Sequence, residues 1–298
     1  MAIIFEEQIP REGPPPAGLF ITDLDGTLLG SDRRLPDAAR TALARLGRRG
    51  IVRAVATGRS LFSFNTVADP EMPVDFVIFS TGAGVLRHPG GRIIRRADLE
   101  NAEVCRAFAA LSALELDIMV QRPIPDNHRF GFKAHRRSNP DFERRLALYR
   151  DHAFPLDGDI AGFGPATQLV AIVPPGDGGR ALAAVRAHLS EFAVIQTTSP
   201  LDGRSMWIEI FPGGVSKSLT AAWLAEKLGI PRHRTASVGN DFNDLDLLEW
   251  TPARFVVGNA PADLTRRFPV VASNDQSGVA EAIERWLGEW NEEVMSNE

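Results

Sequence analysis

Apolar runs of strand length alternate with helix-period patterns along most of the 298-residue chain. "LFITD" (residues 19–23) is followed by helical spacing over 36–48, then "IVRAVAT", a short helix after Arg59, and "DFVIFS". After "MWIEIF" the same order returns: a helix over 216–228, "TASVG", a helix around Leu245, "RFVVG", a short helix, "VVA", and a last helix over 279–290. Strand–helix alternation of this kind predicts a parallel sheet covered by helices on both faces. Between these halves the pattern is different. "GVLRHPGGRIIRR" reads as a hairpin turning at Pro89-Gly90-Gly91. Helical stretches at 100–114, 141–150 and 179–191 then separate the strands "DIMVQ", "QLVAIV" and "FAVIQTT". The predicted fold class is α/β, a Rossmann-like parallel sheet core with an inserted α+β cap. The core comprises 17–84 and 206–291, the cap 85–205, and residues 1–16 form a loose leader.

Four polar clusters sit where predicted strands end: "DLDGT", "TGRS", "STGAG" and "GNDFND". In an open α/β sheet that is where functional groups collect. Asp23 and Asp25 are the least expected of them, because two carboxylates so close repel unless a cation or a proton lies between them. Gly26 permits a sharp turn that lets both face one volume. A solvated Asx turn would explain a lone Asp-Gly but not four such clusters. An EF-hand calcium loop fails, since Gly26 is fourth and Leu28 sixth. "GGVSKS" falls short of a phosphate-binding P-loop, with Ser216 where glycine should precede Lys217.

Bulk properties narrow the function. With 33 basic and 38 acidic residues the net charge is −5, which argues against a nucleic-acid partner. The single cysteine, Cys105, excludes an internal disulfide and reads as a buried structural thiol in a helix. No apolar run reaches membrane-spanning length. The first residues lack a signal-peptide pattern, so the expected location is cytoplasmic. None of the six histidines has metal-ligand spacing.

Taken together, "DLDGTLL", "ATGRS", "KSLTAAWLAEKLGI" and "VGNDFNDLDLLEW" resemble the haloacid dehalogenase superfamily, and within it the Cof-like phosphatases with a type IIB cap. The resemblance covers nearly the whole chain apart from the leader. It implies that Asp23 is a nucleophile forming an aspartyl phosphate, and that Asp25 is the general acid and then the base. It implies that Thr57, Gly58 and Lys217 bind the phosphoryl group, with Asn243 and Asn274 also at the phosphate. Mg2+ would be held by Asp23, the backbone carbonyl of Asp25, and either Asn240 or Asp241, with Asp244 supporting Lys217 or a metal-bound water. Two departures stand out. Asn240 occupies a position where the family commonly has aspartate, and Thr81 one where relatives often have asparagine.

The implied function is magnesium-dependent hydrolysis of a small phosphorylated substrate, a sugar phosphate in particular, by a monomer or homodimer. A phosphosugar mutase and a catalytically weak phosphometabolite-binding regulator are the alternatives. Substrate choice would lie in the cap. There "QRPIPDNHRFGFKAHRRSNP" reads as a solvated loop, or else offers Arg122, His128, Arg129 or Lys133 to an anionic or polyhydroxyl ligand.

Overall fold

In the computed structural model, the described residues are 3–7, 9, 14–156 and 160–296, with side chains from 289 onward left aside. The strands are β1 (Ile3–Glu6), β2 (Gly18–Thr22), β3 (Ile51–Ala56), β4 (Phe76–Phe79), β5 (Gly84–Arg87), β6 (Arg92–Asp98), β7 (Asp117–Gln121), β8 (Phe130–Lys133), β9 (Ala153–Pro155), β10 (Gln168–Val173), β11 (Ala193–Thr198), β12 (Met206–Phe211), β13 (Thr235–Gly239), β14 (Ala253–Val257) and β15 (Val270–Val271). The helices are α1 (Asp37–Arg48), α2 (Leu61–Asn65), α3 (Asn101–Ala113), α4 (Pro140–Leu148), α5 (Gly178–His188), α6 (Lys217–Leu228), α7 (Leu245–Trp250), α8 (Ala262–Thr265) and α9 (Gly278–Ser296).

The chain divides into two compact units. One contains residues 7–58, 64–94 and 217–298, and is the core. Its strands run in the order β6-β5-β4-β3-β2-β13-β14-β15. The pairs from β4 through β15 are parallel, while β5 joins β4 antiparallel. In β2, Leu19, Phe20 and Ile21 are all fully buried. A central parallel strand covered on both faces must read as a continuous apolar run, and "LFI" does. On one side α6 packs Ala221, Leu224 and Leu228 against Leu19, Ile21, Ala54 and Ile78. On the other, α1 buries Ala39, Ala42, Leu43 and Leu46, a spacing of one helical face. Trp286 of α9 stacks on Phe20 at 5.9 Å.

The strand order is what locates a site. Chain order moves outward from β2 through β3 and β4 in one direction, and from β13 through β14 and β15 in the other. The reversal leaves a crevice at the carboxyl ends of the adjacent strands β2 and β13, where loops must part in opposite directions.

The other unit holds Arg95–Ser216 together with the strand Ile3–Glu6 and the segment Arg59–Ser63. It is the inserted α+β cap. Its sheet runs β11-β12-β10-β7-β8-β9, antiparallel except for β8–β9. One face carries α3 and α5 over Ile118, Val120, Leu169, Ala171, Ile208 and Ile210. The opposite face carries Phe142 of α4 over Met119, Val170, Ile172 and Trp207. No helix among the described residues is long and apolar enough to cross a membrane.

Three expectations are corrected. "MWIEIF", expected to open the second core segment at 206, is β12, paired antiparallel between β10 and β11 of the cap sheet. The unit therefore runs to Ser216, and β5 at its expected start belongs to the core. A buried apolar run looks alike in either sheet, so its partners decide. Second, the basic stretch after Gln121 is not loop throughout: Phe130–Lys133 forms β8. Third, Ile3–Glu6 of the expected leader is a strand, pairing with residues 95–98 of β6. Residues 1, 2, 8 and 10–13 of that leader lie outside the described residues.

Candidate active site

Asp23 follows β2 directly, and its N–H donates to Val238 of β13 at 2.9 Å, which fixes it at the crevice. The residue is only 5% exposed. Lys217, the first residue of α6, is fully buried, and its Nζ donates to Asp23 Oδ1 at 2.7 Å and to Asp244 Oδ1 at 2.6 Å. An ammonium has three donors, and two of them are used here. Burial disfavours the lysine's charge, but the two carboxylates outweigh that and hold it above the ordinary lysine range. Burial pushes the Asp23 carboxyl up, to about 7; Lys217 pulls it down, while Asp244 and Asp25 push it up further.

Asp244 organises the loop after β13. Its second oxygen, Oδ2, accepts the N–H groups of Asn240 at 2.9 Å and Asp241 at 3.1 Å. In return, the Asp241 carboxylate accepts the Asp244 N–H in a capping box. Asp244 is fully buried, so its charge is tolerable only because a lysine and two amides share it.

The turn carrying Asp25 is set by Gly26, at φ +68°, a left-handed conformation. A Cβ there would also come within 2.7 Å of Asn240 Nδ2, so any other residue would displace Asn240. Leu29 N–H closes the loop onto the Leu24 carbonyl at 2.9 Å. Asn274 donates from Nδ2 to the Leu29 carbonyl at 3.0 Å. It braces the loop. Sequence reasoning missed Asn259, just beyond β14, whose Nδ2 donates to the Gly26 carbonyl at 2.8 Å and whose Oδ1 accepts Asn274 N–H at 3.0 Å. Its place two residues past a strand's carboxyl end was the available signal.

Thr57 follows β3 and is buried, its N–H on the Ile78 carbonyl. Its own carbonyl accepts Thr81 N–H at 3.0 Å. A Cβ built on Gly58 would lie 3.5 Å from Thr81 Oγ1 and 3.6 Å from Asn243 Nδ2, so the β3, β4 and β13 loops converge at this point. Thr81 has φ +54°. That is an outlier for a β-branched residue, held by the surrounding loops. Asparagine tolerates this conformation far better. Thr81→Asn is expected to stabilise the protein by about 1 kcal/mol, seen as a higher denaturation midpoint at unchanged m.

Whether these residues suit a divalent cation can be judged from charge and donor type. Lys217 is shared by the carboxylates of Asp23 and Asp244, and Asp25 adds a third close enough to push the Asp23 carboxyl up. The oxygens on offer are the Asp23 carboxylate, a backbone carbonyl and an amide, hard donors of the kind magnesium prefers. Among the described residues no group of three or more His, Cys, Asp or Glu is placed to hold a metal ion. The donor set fits.

Comparison with known proteins agrees with this geometry. The sequence profile of the haloacid dehalogenase-like hydrolases matches residues 20–283. Phosphatase YwpJ of Bacillus subtilis is 26% identical over 287 residues, covering 90% of this chain and 99% of that protein. The HMP-PP phosphatase of Cronobacter sakazakii is 29% identical over 290 residues, covering 91% and 96%. Among solved structures, the subclass IIB sugar phosphatase BT4131 superposes with a TM-score of 0.71 at 18% identity, covering 90% of this chain and 98% of that one. That last likeness speaks to the fold alone. With a matched profile spanning most of its length, the chain belongs to the haloacid dehalogenase-like hydrolase family, as a Cof-type phosphatase.

Proposed function

We propose that the protein hydrolyses a small phosphorylated metabolite, a sugar phosphate in particular, through an aspartyl-phosphate intermediate, with magnesium bound. The observation that carries this reading is the buried Asp23–Lys217–Asp244 arrangement at the β2/β13 crevice. Lys217 holds Asp23 Oδ1, which leaves Oδ2 to attack phosphorus. Thr57 Oγ1 and the Gly58 N–H donate to phosphoryl oxygens. Asp25 gives its proton to the departing alcohol, then takes one from the water that attacks the aspartyl phosphate. Asp23, the Asp25 carbonyl and Asn240 would hold the cation, which neutralises charge on the phosphate and on Asp23. Asn240 suits that position better than Asp241, whose carboxylate is engaged by Asp244 N–H. Phosphoryl transfer depends mainly on positioning and charge neutralisation, and these groups supply both. The relatives' names, one an HMP-PP phosphatase, support a small phosphorylated substrate.

Hydrolysis of p-nitrophenyl phosphate with and without magnesium tests the reading. Turnover that needs the cation supports it. A binding protein that had lost catalysis through Asn240 would show none on any phosphorylated metabolite. A mutase would yield an isomerised phosphosugar and require a bisphosphate activator.

The raised Asp23 carboxyl gives a pH prediction. An acid whose folded value exceeds its unfolded one favours the fold while protonated, and that advantage is lost as pH rises through about 7. Magnesium must displace the same proton. At a hundredfold excess over its dissociation constant, magnesium should stabilise by about 2.7 kcal/mol at pH 8. The gain should shrink as pH falls below 7, in thermal melts that need no substrate. An equal gain at pH 5.5 would remove Asp23 from the ligand set.

A further inference from the structure

Within the core unit, the turn that carries Asp25 is gripped from outside by side chains of two distant loops. Leu29 N–H closes the turn on the Leu24 carbonyl, and an isolated bridge pairs Asp25 with Leu29. Bonds internal to a turn shape it but do not fix where it points. Asn259, beyond β14, donates from Nδ2 to the Gly26 carbonyl at 2.8 Å. Beyond β15, Asn274 donates to the Leu29 carbonyl at 3.0 Å, and the Asp275 carboxylate accepts the Ser31 N–H and hydroxyl at 2.7 Å each. Asn259 Oδ1 accepts the Asn274 N–H at 3.0 Å, which joins the two loops to each other. Asn259 thus uses both ends of its amide.

The Gly26 carbonyl is the grip nearest the acid. Gly26 directly follows Asp25 and stands at φ +68°, and glycine torsions are soft once nothing holds the peptide. A Cβ built on Gly26 would lie 3.7 Å from Asn259 Nδ2, so the amide lies close against the turn. Asn259 is itself exposed, and water competes for the groups of an exposed amide, so its bonds add only modestly to stability. What they fix is direction. An acid must stand within hydrogen-bond reach of the oxygen it protonates, and a small misplacement of such a group costs rate steeply.

We propose that Asn259 is a positioning residue for proton transfer: by holding the Gly26 carbonyl it keeps the Asp25 carboxyl aimed at the departing oxygen. The inference rests on the phosphatase reading, in which Asp25 protonates the leaving alcohol, and adds the group that orients it. Asn259 acts through the Gly26 peptide and takes no part in the attack on phosphorus.

The test compares kcat/KM for phenyl phosphate with that for p-nitrophenyl phosphate. Phenol is the poorer leaving group and needs the proton, whereas p-nitrophenol departs with little help. Asn259→Ala should lower the phenyl-to-nitrophenyl ratio by about tenfold, and Asp25→Asn should lower it further. With Asp25→Asn already present, Asn259→Ala should change the ratio by less than about twofold, because the group it orients is gone. Asn259→Asp keeps the acceptor for Asn274 but loses the donor to Gly26, and carries the same expectation should the alanine variant fold poorly. A merely structural role would slow both esters alike. A ratio that stays constant in both Asn259 variants therefore overturns the proposal, as does an equal fall with and without the Asp25 carboxyl. An Asp25→Asn enzyme with the parent ratio also overturns it, and removes Asp25 as the acid. A parent enzyme that cleaves neither ester fails earlier, at the phosphatase reading itself.

Discussion

Replacing Asp23 with asparagine is expected to abolish turnover while leaving the fold at least as stable. The amide keeps the size of the carboxylate but cannot attack phosphorus, so kcat should fall by at least about a thousandfold. Stability should move the other way. Burial already pushes the Asp23 carboxyl up to about 7, so above that pH the folded protein holds a charge it accommodates poorly without a cation. Asparagine removes that charge, and Lys217 keeps Asp244 as its partner at 2.6 Å. Without magnesium at pH 8 the variant should therefore melt at or above the parent temperature. A variant that retains a tenth of the parent kcat would mean that another group attacks phosphorus.

Lys217→Met should also remove activity, with the opposite effect on stability. Lys217 is fully buried and answers both Asp23 and Asp244. Methionine fills most of its volume but leaves two carboxylates in the interior facing each other without a counter-charge. Breaking a buried pair on one side costs about 3–5 kcal/mol, or roughly 10 °C in a chain of this size. Loss of a charge that stabilises the transferring phosphoryl group lowers kcat by a further factor of about a hundred or more. Arginine should not rescue it, because a planar guanidinium does not fit a pocket closed around an ammonium. Thermal melts and aryl-phosphate kinetics on the two variants separate the roles. Both lose turnover, but only the lysine variant loses the fold's margin. Equal melting temperatures for Lys217→Met and the parent would show that the lysine is not the counter-ion of this pocket.

Most of what positions the site was legible because it is written locally. "LFI" is apolar without interruption, as a strand buried on both faces must be, and Asp-Gly marks the turn that follows. The helix opening at Lys217 and the loop "GNDFND" could be found from strand–helix alternation alone. What escaped the sequence depends on partners distant in the chain. Met206–Phe211 is apolar enough for either sheet, and only its antiparallel pairing with β10 and β11 assigns it to the cap. Phe130–Lys133 was obscured by the basic residues around it. Several of those proved to serve packing: Arg122 lies over Phe163 at 4.4 Å, and Lys133 over Phe108 at 5.4 Å. His128 stacks on Phe62 at 4.4 Å with His152 against both rings. The Asn274 side chain holds a backbone carbonyl of the Asp25 loop through an amide whose direction no local pattern reveals. The left-handed Thr81 is likewise imposed by the loops around it, since its own preference runs against that conformation.

The central claim is that the phosphoryl group passes through Asp23 rather than directly to water. Hydrolysis of a phosphorothioate ester made chiral at phosphorus with two oxygen isotopes, in water carrying the third, decides this without trapping anything. Two successive in-line displacements, first by Asp23 and then by water, each invert the centre and together return it, so net retention is the predicted outcome. Net inversion would mean a single attack by water, and would contradict the account.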